Sequence, residues 1–428
     1  MTLFIMKRIL SLILLTAIAG ITLVSCGSDD PDPVPPASDK APRTVLVYMQ
    51  AYNSLGSVYE GKGFDDKDLQ EMCTAAAITG LGDARVIVYH QPRWNHGAAS
   101  LLEVTPDGLV TLKDYDASEL SVSETRMRRV IDDMRQLAPA DRYGLVLWSH
   151  ASGWWNEGVD GPEARQTPAP RSFGIDSPTD DQRYTMSITS LADVLGDRTF
   201  DYIYFDCCFM ASVEVAYQLR NATGTIVASA AELPSNGMPY DLTLPMLAAS
   251  EPDFTKIART VFGHYDAAYI PYMSSAPRTD DSYGCTISVI DTSRLTGLAT
   301  LLRAAYESGA TLPADTRLQE FAPRTAPGNY CDLEDYINHL SGISPAEVTL
   351  LRQALHDAVP YKGATPGIDM INRFDISAHC GLSVYVGTLA DPARRHNYQT
   401  LDWYRDVASA SLGPHNRHFY KETLPQGR

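Results

Sequence analysis

Two side-chain types capable of covalent catalysis stand at the ends of short apolar runs. Tyr143-Gly144-Leu145-Val146-Leu147-Trp148 leads into Ser149-His150-Ala151-Ser152-Gly153-Trp154, and Tyr202-Ile203-Tyr204-Phe205 leads into Asp206-Cys207-Cys208-Phe209-Met210. Each run has the length and composition of a buried strand, so one strand delivers an imidazole and the other a pair of thiols. Strands of a parallel sheet bring their C-terminal ends to one edge, where ligands bind in α/β proteins. A thiol and an imidazole that meet there are the minimum for a cysteine nucleophile with a histidine base. Cys207 and Cys208 point to opposite sides of an extended chain, and the residues alone do not choose between them. A rival pair, His96-Gly97, lies in a polar loop beyond another strand end. No Gly-x-Ser-x-Gly sequence occurs, which argues against a serine nucleophile on an elbow turn.

The elements needed to hold such a pair follow from hydrophobic pattern and punctuation. A strand is expected over residues 44–49, then the polar loop Tyr52-Asn53-Ser54, a helix over 65–76 and a strand over 85–89. A hairpin is expected about Pro106-Asp107-Gly108, and a helix over 123–137 that stops before Pro139. After the His strand comes a long irregular loop, 156–184, rich in Pro, Gly, Asp and Arg. A short helix over 190–195 precedes the Cys strand, and a helix over 211–219 and a strand over 225–230 follow it. Strands alternating with helices at this spacing imply right-handed crossovers and a parallel sheet. Beyond about residue 250 the pattern loosens. Helices over 253–269, 296–308 and 345–358 and strands over 286–291 and 382–386 can be placed, either as more of the same sheet or as a helix-rich subdomain.

The 428 residues are 44% hydrophobic and 20% charged, a globular balance, with a formal net charge of −17. That charge repels a nucleic-acid backbone and makes nucleic acid an unsuitable partner. The first residues are not part of a fold. Lys7 and Arg8 precede a mostly apolar run, 9–24, that ends in Leu23-Val24-Ser25-Cys26. A charged segment, an apolar segment and a small-residue cleavage site make a signal peptide. A Cys directly after the site resembles a bacterial lipobox, which implies cleavage after residue 25 and lipid on Cys26. Residues 26–42, acidic and proline-rich, then serve as an extended tether, and the folded domain is expected over 43–428, with a core over 43–250 and an extension over 251–428. The expected location is the bacterial cell envelope, lipid-anchored in the outer membrane, with a surface-exposed variant of that arrangement suggested by the acidic residues after Cys26. The remaining cysteines, Cys73, Cys207, Cys208, Cys285, Cys331 and Cys380, are too widely spaced for a metal cluster or a small disulfide framework.

The His and Cys blocks together resemble the clostripain family of caspase-like cysteine peptidases. Ser149-His150-Ala151-Ser152-Gly153-Trp154 is similar to its Ser-His-Gly-x-Gly-Trp block, and Asp206-Cys207-Cys208-Phe209-Met210-Ala211-Ser212-Val213-Glu214-Val215-Ala216-Tyr217 to its Asp-Ala-Cys-Leu-Met-Ala-Ser-x-Glu-Val-Ala-Tyr block. Thr44-Val45-Leu46-Val47-Tyr48-Met49 and Cys380-Gly381-Leu382-Ser383-Val384-Tyr385 extend the likeness to both ends of the domain. The resemblance implies an αβα sandwich with a mainly parallel central sheet and a less regular C-terminal extension. It implies a monomeric endopeptidase acting on peptides or proteins, with Cys208 as nucleophile, His150 as base and Cys207 as a small core residue. The backbone N–H groups of Cys208 and Ala151 are the expected oxyanion donors; the family has Gly at the latter position, and Ala there is strained if its φ is positive.

The resemblance also implies a pocket for Arg or Lys before the cut. Asp206 matches one family acid, while Asn236, in Leu233-Pro234-Ser235-Asn236-Gly237-Met238, stands where a second acid is usual. Relatives are made as zymogens, which marks Arg165 and Arg171 in the long loop as processing points. No cofactor is required by this chemistry. Some relatives need calcium, for which Asp176, Asp180 and Asp181 are candidate loop acids, without an EF-hand pattern. The alternative reading is a catalytically inactive caspase-like surface lipoprotein acting as a binding module.

Overall fold

The computed structural model describes residues 40–155, 173–179, 182–197, 199–326, 328–387, 389 and 391–412. The expected signal peptide, Cys26 and most of the tether lie outside the described residues, as do Arg165, Arg171, Asp180 and Asp181. The first half runs β1 (Ala41–Ala51), α1 (Phe64–Ile78), β2 (Arg85–Pro92), β3 (Ala99–Thr105), β4 (Gly108–Tyr115), α2 (Glu124–Leu137), β5 (Ala140–Trp148), β6 (Phe173–Asp176) and β7 (Tyr184–Met186). It continues with α3 (Ile188–Leu195), β8 (Tyr202–Asp206), α4 (Val213–Gln218), β9 (Thr225–Ala228), α5 (Tyr240–Ala248) and α6 (Phe254–Ala268). The second half adds β10 (Thr286–Asp291), α7 (Leu295–Glu307), β11 (Cys331–Asp332), α8 (Leu333–Asn338), α9 (Pro345–Ala358), β12 (Tyr361–Ala364), β13 (Gly367–Asp369), β14 (Arg373–Asp375), β15 (Ser383–Val384), α10 (Pro392–Gln399) and α11 (Asp402–Asp406).

Nine strands form one sheet in the order β12-β10-β9-β8-β5-β1-β2-β3-β4. The five central strands are parallel, and antiparallel strands extend both edges. Strand alternation sorts the side chains between two helical layers. Val45, Val47, Val146, Trp148, Tyr202 and Tyr204 face α1, α5 and α6. Leu46, Tyr48, Leu145, Leu147, Ile203 and Phe205 face the other layer, built from α2, α3, α4, α7 and α9. The result is the expected αβα sandwich.

Several expectations shift. β1 begins at Ala41, pairing with Ala140, so the tether gives up its last two residues to the sheet. The loop after the His strand is not structureless to residue 184: β6 and β7 pair antiparallel. The expected strand near 382–386 is only β15, and it pairs with β11 outside the main sheet. The region past residue 250 does both things anticipated of it, because β10 and β12 widen the sheet while helices cover it. Helix α5 was not among the expected elements; Pro245 lies inside it, and a proline breaks the helical hydrogen-bond ladder. Burial of Tyr240, Leu244 and Leu247 against the sheet outweighs that cost.

Candidate active site

Strands β1, β5 and β8 lie side by side, with Met49 level with Trp148 and Trp148 level with Asp206. His150 and Cys208 therefore each stand two residues beyond a matched pair, at the same height on adjacent parallel strands. Both line the same two cavities.

The His150 side is held from β1. Ser54 Oγ lies 2.8 Å from His150 Nε2. The loop carrying Ser54 is fixed by Asn53, whose Nδ2 donates to the carbonyls of Gln50 and Ile175 and to Ser149 Oγ. Ser149 Oγ in turn donates to the Gln50 carbonyl and accepts from the Ile175 N–H. Burial above all, and the positive charge of Arg183, lower the pKa of His150 to about 4. Ala151 pairs with Phe173 through a bond from the Gly174 N–H to the His150 carbonyl. That pattern leaves the Ala151 N–H facing away from β6. Ala151 is not among the residues with positive φ, so Ala replaces Gly there without backbone strain. Gly153 does need to be glycine: its φ is +65°, and a Cβ would lie 2.7 Å from the Tyr330 ring and 2.9 Å from the Phe209 carbonyl oxygen.

On the other strand the two cysteines separate. Cys207 is buried, with its Sγ donating to the Leu147 carbonyl 3.0 Å away in the core. Cys208 is partly exposed and lines the cavities; its Sγ accepts from the Leu233 N–H at 3.3 Å. Burial pushes the Cys208 thiol up to about 12, against the Leu233 bond, while the charges of Glu232 and Asp206 push the same way as burial. Phe209 then turns the chain with φ +62°, rare outside glycine. The turn is fastened by Phe209 N–H to the Ala231 carbonyl and Ala211 N–H to the Ser229 carbonyl. Tyr330 stacks on Phe209 at 4.9 Å between ring centres, and its hydroxyl bonds to the Ser152 carbonyl. One C-terminal side chain thus touches both the His150 and the Cys208 loops.

The larger cavity, about 470 Å³, is walled by Arg93, Arg183, Trp155 and Tyr330 around His150 and Cys208. The smaller, about 210 Å³, has Asp206, Glu232 and Gly237 in its lining. Asp206 is buried, accepts from the Met238 N–H at 3.1 Å and from the Tyr240 hydroxyl at 3.0 Å, and has its pKa raised to about 6 by burial. Gly237, φ +64°, covers it; a Cβ would stand 2.7 Å from the carboxylate. Asn236 donates its amide to Asp281 at 2.8 Å and is not part of the cavity lining.

Other candidates fall away from this edge. His96 is exposed in the turn after β2, with φ +51°, and lines neither cavity. Asp176 is not a loop acid: it ends β6, buried, and accepts from Ser121 Oγ and the Val122 N–H. No cluster of three or more metal-ligating side chains occurs among the described residues. Ser54, Glu232 and Tyr330 were not singled out from sequence. Ser54 was within reach of the same edge rule that found His150, because it follows the C-terminal end of β1. Nothing local marks the other two.

The clostripain family model matches residues 47–319. Among solved structures, a secreted C11 cysteine protease from Bacteroides thetaiotaomicron in complex with an irreversible peptide inhibitor is 26% identical. The match covers 86% of this chain and 99% of that one, with a TM-score of 0.72. An inactive zymogen C11 protease from Parabacteroides distasonis is 26% identical, with the same coverage and a TM-score of 0.69. A further secreted C11 protease from Bacteroides thetaiotaomicron shares the fold at 22% identity and a TM-score of 0.68. No match was found among the curated proteins. With the family model spanning more than half of the chain and the fold shared over nearly all of its structural neighbours, this chain belongs to the clostripain family of cysteine peptidases.

Proposed function

We propose that this peptidase is an endopeptidase that works through Cys208 and His150 and prefers Arg or Lys before the cut. The carrying observation is that the β5–β8 register sets a partly exposed thiol and an imidazole at one height on one edge, lining shared cavities. With Nε2 engaged by Ser54, Nδ1 is the nitrogen left to serve the thiol. A depressed imidazole and an elevated thiol make the resting pair neutral, so the proton leaves sulfur for Nδ1 as the C–S bond forms on the peptide carbonyl. The N–H groups of Cys208 and Ala151 receive the developing oxyanion. The C–N bond then breaks as the imidazolium returns the proton to the leaving amine. Water, deprotonated by the imidazole, cleaves the acyl-enzyme and the thiol is restored. Asp206, on the smaller cavity, supplies negative charge for a guanidinium or ammonium.

The test compares Cys208→Ala, Cys207→Ala, His150→Ala and Ser54→Ala on fluorogenic peptides varied at the residue before the cut. Cleavage abolished in the first and third, retained in the second and lowered about 10-fold in kcat in the fourth is the expected pattern. Retained cleavage in Cys208→Ala overturns the assignment. The same reading includes lipid on Cys26, supported by Leu23-Val24-Ser25-Cys26; palmitate labelling lost in Cys26→Ser checks it.

A further inference from the structure

We propose that Glu232 is the second acid of the pocket that receives the basic residue, taking the place that Asn236 leaves uncharged. This rests on the reading of the smaller cavity as the basic-residue pocket. Asn236 turns its amide to Asp281. Glu232, by contrast, lines both cavities, immediately before Leu233, whose N–H touches Cys208 Sγ. Glu232 is only 8% exposed, and no ion pair to it occurs among the described residues. It accepts from the Asn372 N–H at 2.9 Å, and the Asn372 side chain also favours its charge. A carboxylate has about four lone-pair directions, so accepting capacity remains for a ligand.

Charge and geometry together define that ligand. Asp206 has Met238 and Tyr240 as donors and sits beneath the Gly237 turn. Glu232 is placed where the two cavities meet, beside the nucleophile. Burial strips hydration from both acids and keeps both reluctant to ionise. A guanidinium brought into the cavity that both line offsets that loss and offers five donors, enough to serve two carboxylates at once. A neutral side chain brings no charge to offset it.

The bond to Asn372 gives Glu232 a structural duty as well, because that N–H belongs to the tip between β13 and β14, which roofs both cavities through Ile371. Glu232→Gln separates the two roles, since its amide oxygen still accepts from Asn372 while the charge is gone. The experiment measures kcat and KM for parent and Glu232→Gln on two peptides that differ only in Arg or its neutral isostere citrulline before the cut. The expected result is an Arg-over-citrulline preference in the parent that falls about 10-fold or more in Glu232→Gln, carried by KM for the Arg peptide. An unchanged preference overturns the proposal and leaves the Asp206 pocket standing. An equal loss on both peptides also overturns it, assigning Glu232 to the roof alone. A parent without any preference for Arg sinks the basic-pocket reading, and this inference with it.

Discussion

The Cys208 thiol is held by surroundings that oppose its ionisation. Burial, Glu232 and Asp206 all disfavour the thiolate, and against them stand the backbone N–H groups of Leu233 and of Cys208 itself. His150, half-buried beside Arg183, resists a proton. The pair is therefore unlike a preformed thiolate–imidazolium couple, whose alkylation rate levels off at acidic pH. A thiol with a raised pKa needs more alkaline solution to ionise. The rate of Cys208 alkylation by iodoacetamide is thus expected to rise about 10-fold per pH unit between pH 6 and 9, as the thiolate fraction grows. A flat profile over that range, read by mass spectrometry of the labelled peptide, contradicts the resting state described above.

Among the elements, the two catalytic-edge loops are locked by the C-terminal half. The Ser383 N–H bonds to the Ala211 carbonyl and the Tyr385 N–H to Glu214 Oε1, which fixes the start of α4 behind Cys208. Trp154, one residue past Gly153, packs edge-on against Tyr385 at 4.9 Å. Tyr330 bridges the two loops at the glycine itself. Gly153→Ala puts an L-residue at positive φ and drives a methyl group into Tyr330 and the Phe209 carbonyl, at a cost of about 1–3 kcal/mol. It is expected to lower the melting temperature and to reduce kcat/KM about 10-fold or more, whereas Ala151→Gly, at an unstrained position, leaves kcat/KM within about 2-fold. Thermal melts and kinetics on the two variants check this difference.

Over the whole molecule, the sandwich is held by packing rather than cross-links. The six cysteines within the described residues are all free thiols, so the melting temperature is expected to be the same with and without dithiothreitol. The net charge of −17 spreads an attractive field for cationic peptides, and salt screens it over about 10 Å at 0.1 M. Raising sodium chloride from 20 mM to 500 mM is expected to lower kcat/KM for an Arg peptide several-fold through KM, and to change that of its citrulline counterpart far less. Equal salt effects on both peptides place the selectivity in short-range contacts alone.

The strands that matter most for chemistry were legible because a buried parallel strand is a local signal. Apolar runs ending in His150 and Cys208 needed no tertiary information to be read as neighbours on one edge. The helix that opens at Ser123 was legible for the same reason, because its cap bonds within three residues, whereas Ser212 caps a helix whose expected start, 211, lies two residues too early. Tertiary structure alone decided which of two adjacent thiols faces solvent, since that depends on the turn at Phe209 and on what lies behind Cys207. It alone placed Glu232 and Tyr330 around the site, from segments 24 and 122 residues away from Cys208 along the chain. It also made α5 helical across Pro245 and set β10 and β12 into the main sheet. These outcomes turn on burial and on contacts between distant segments, which no local pattern of residues encodes.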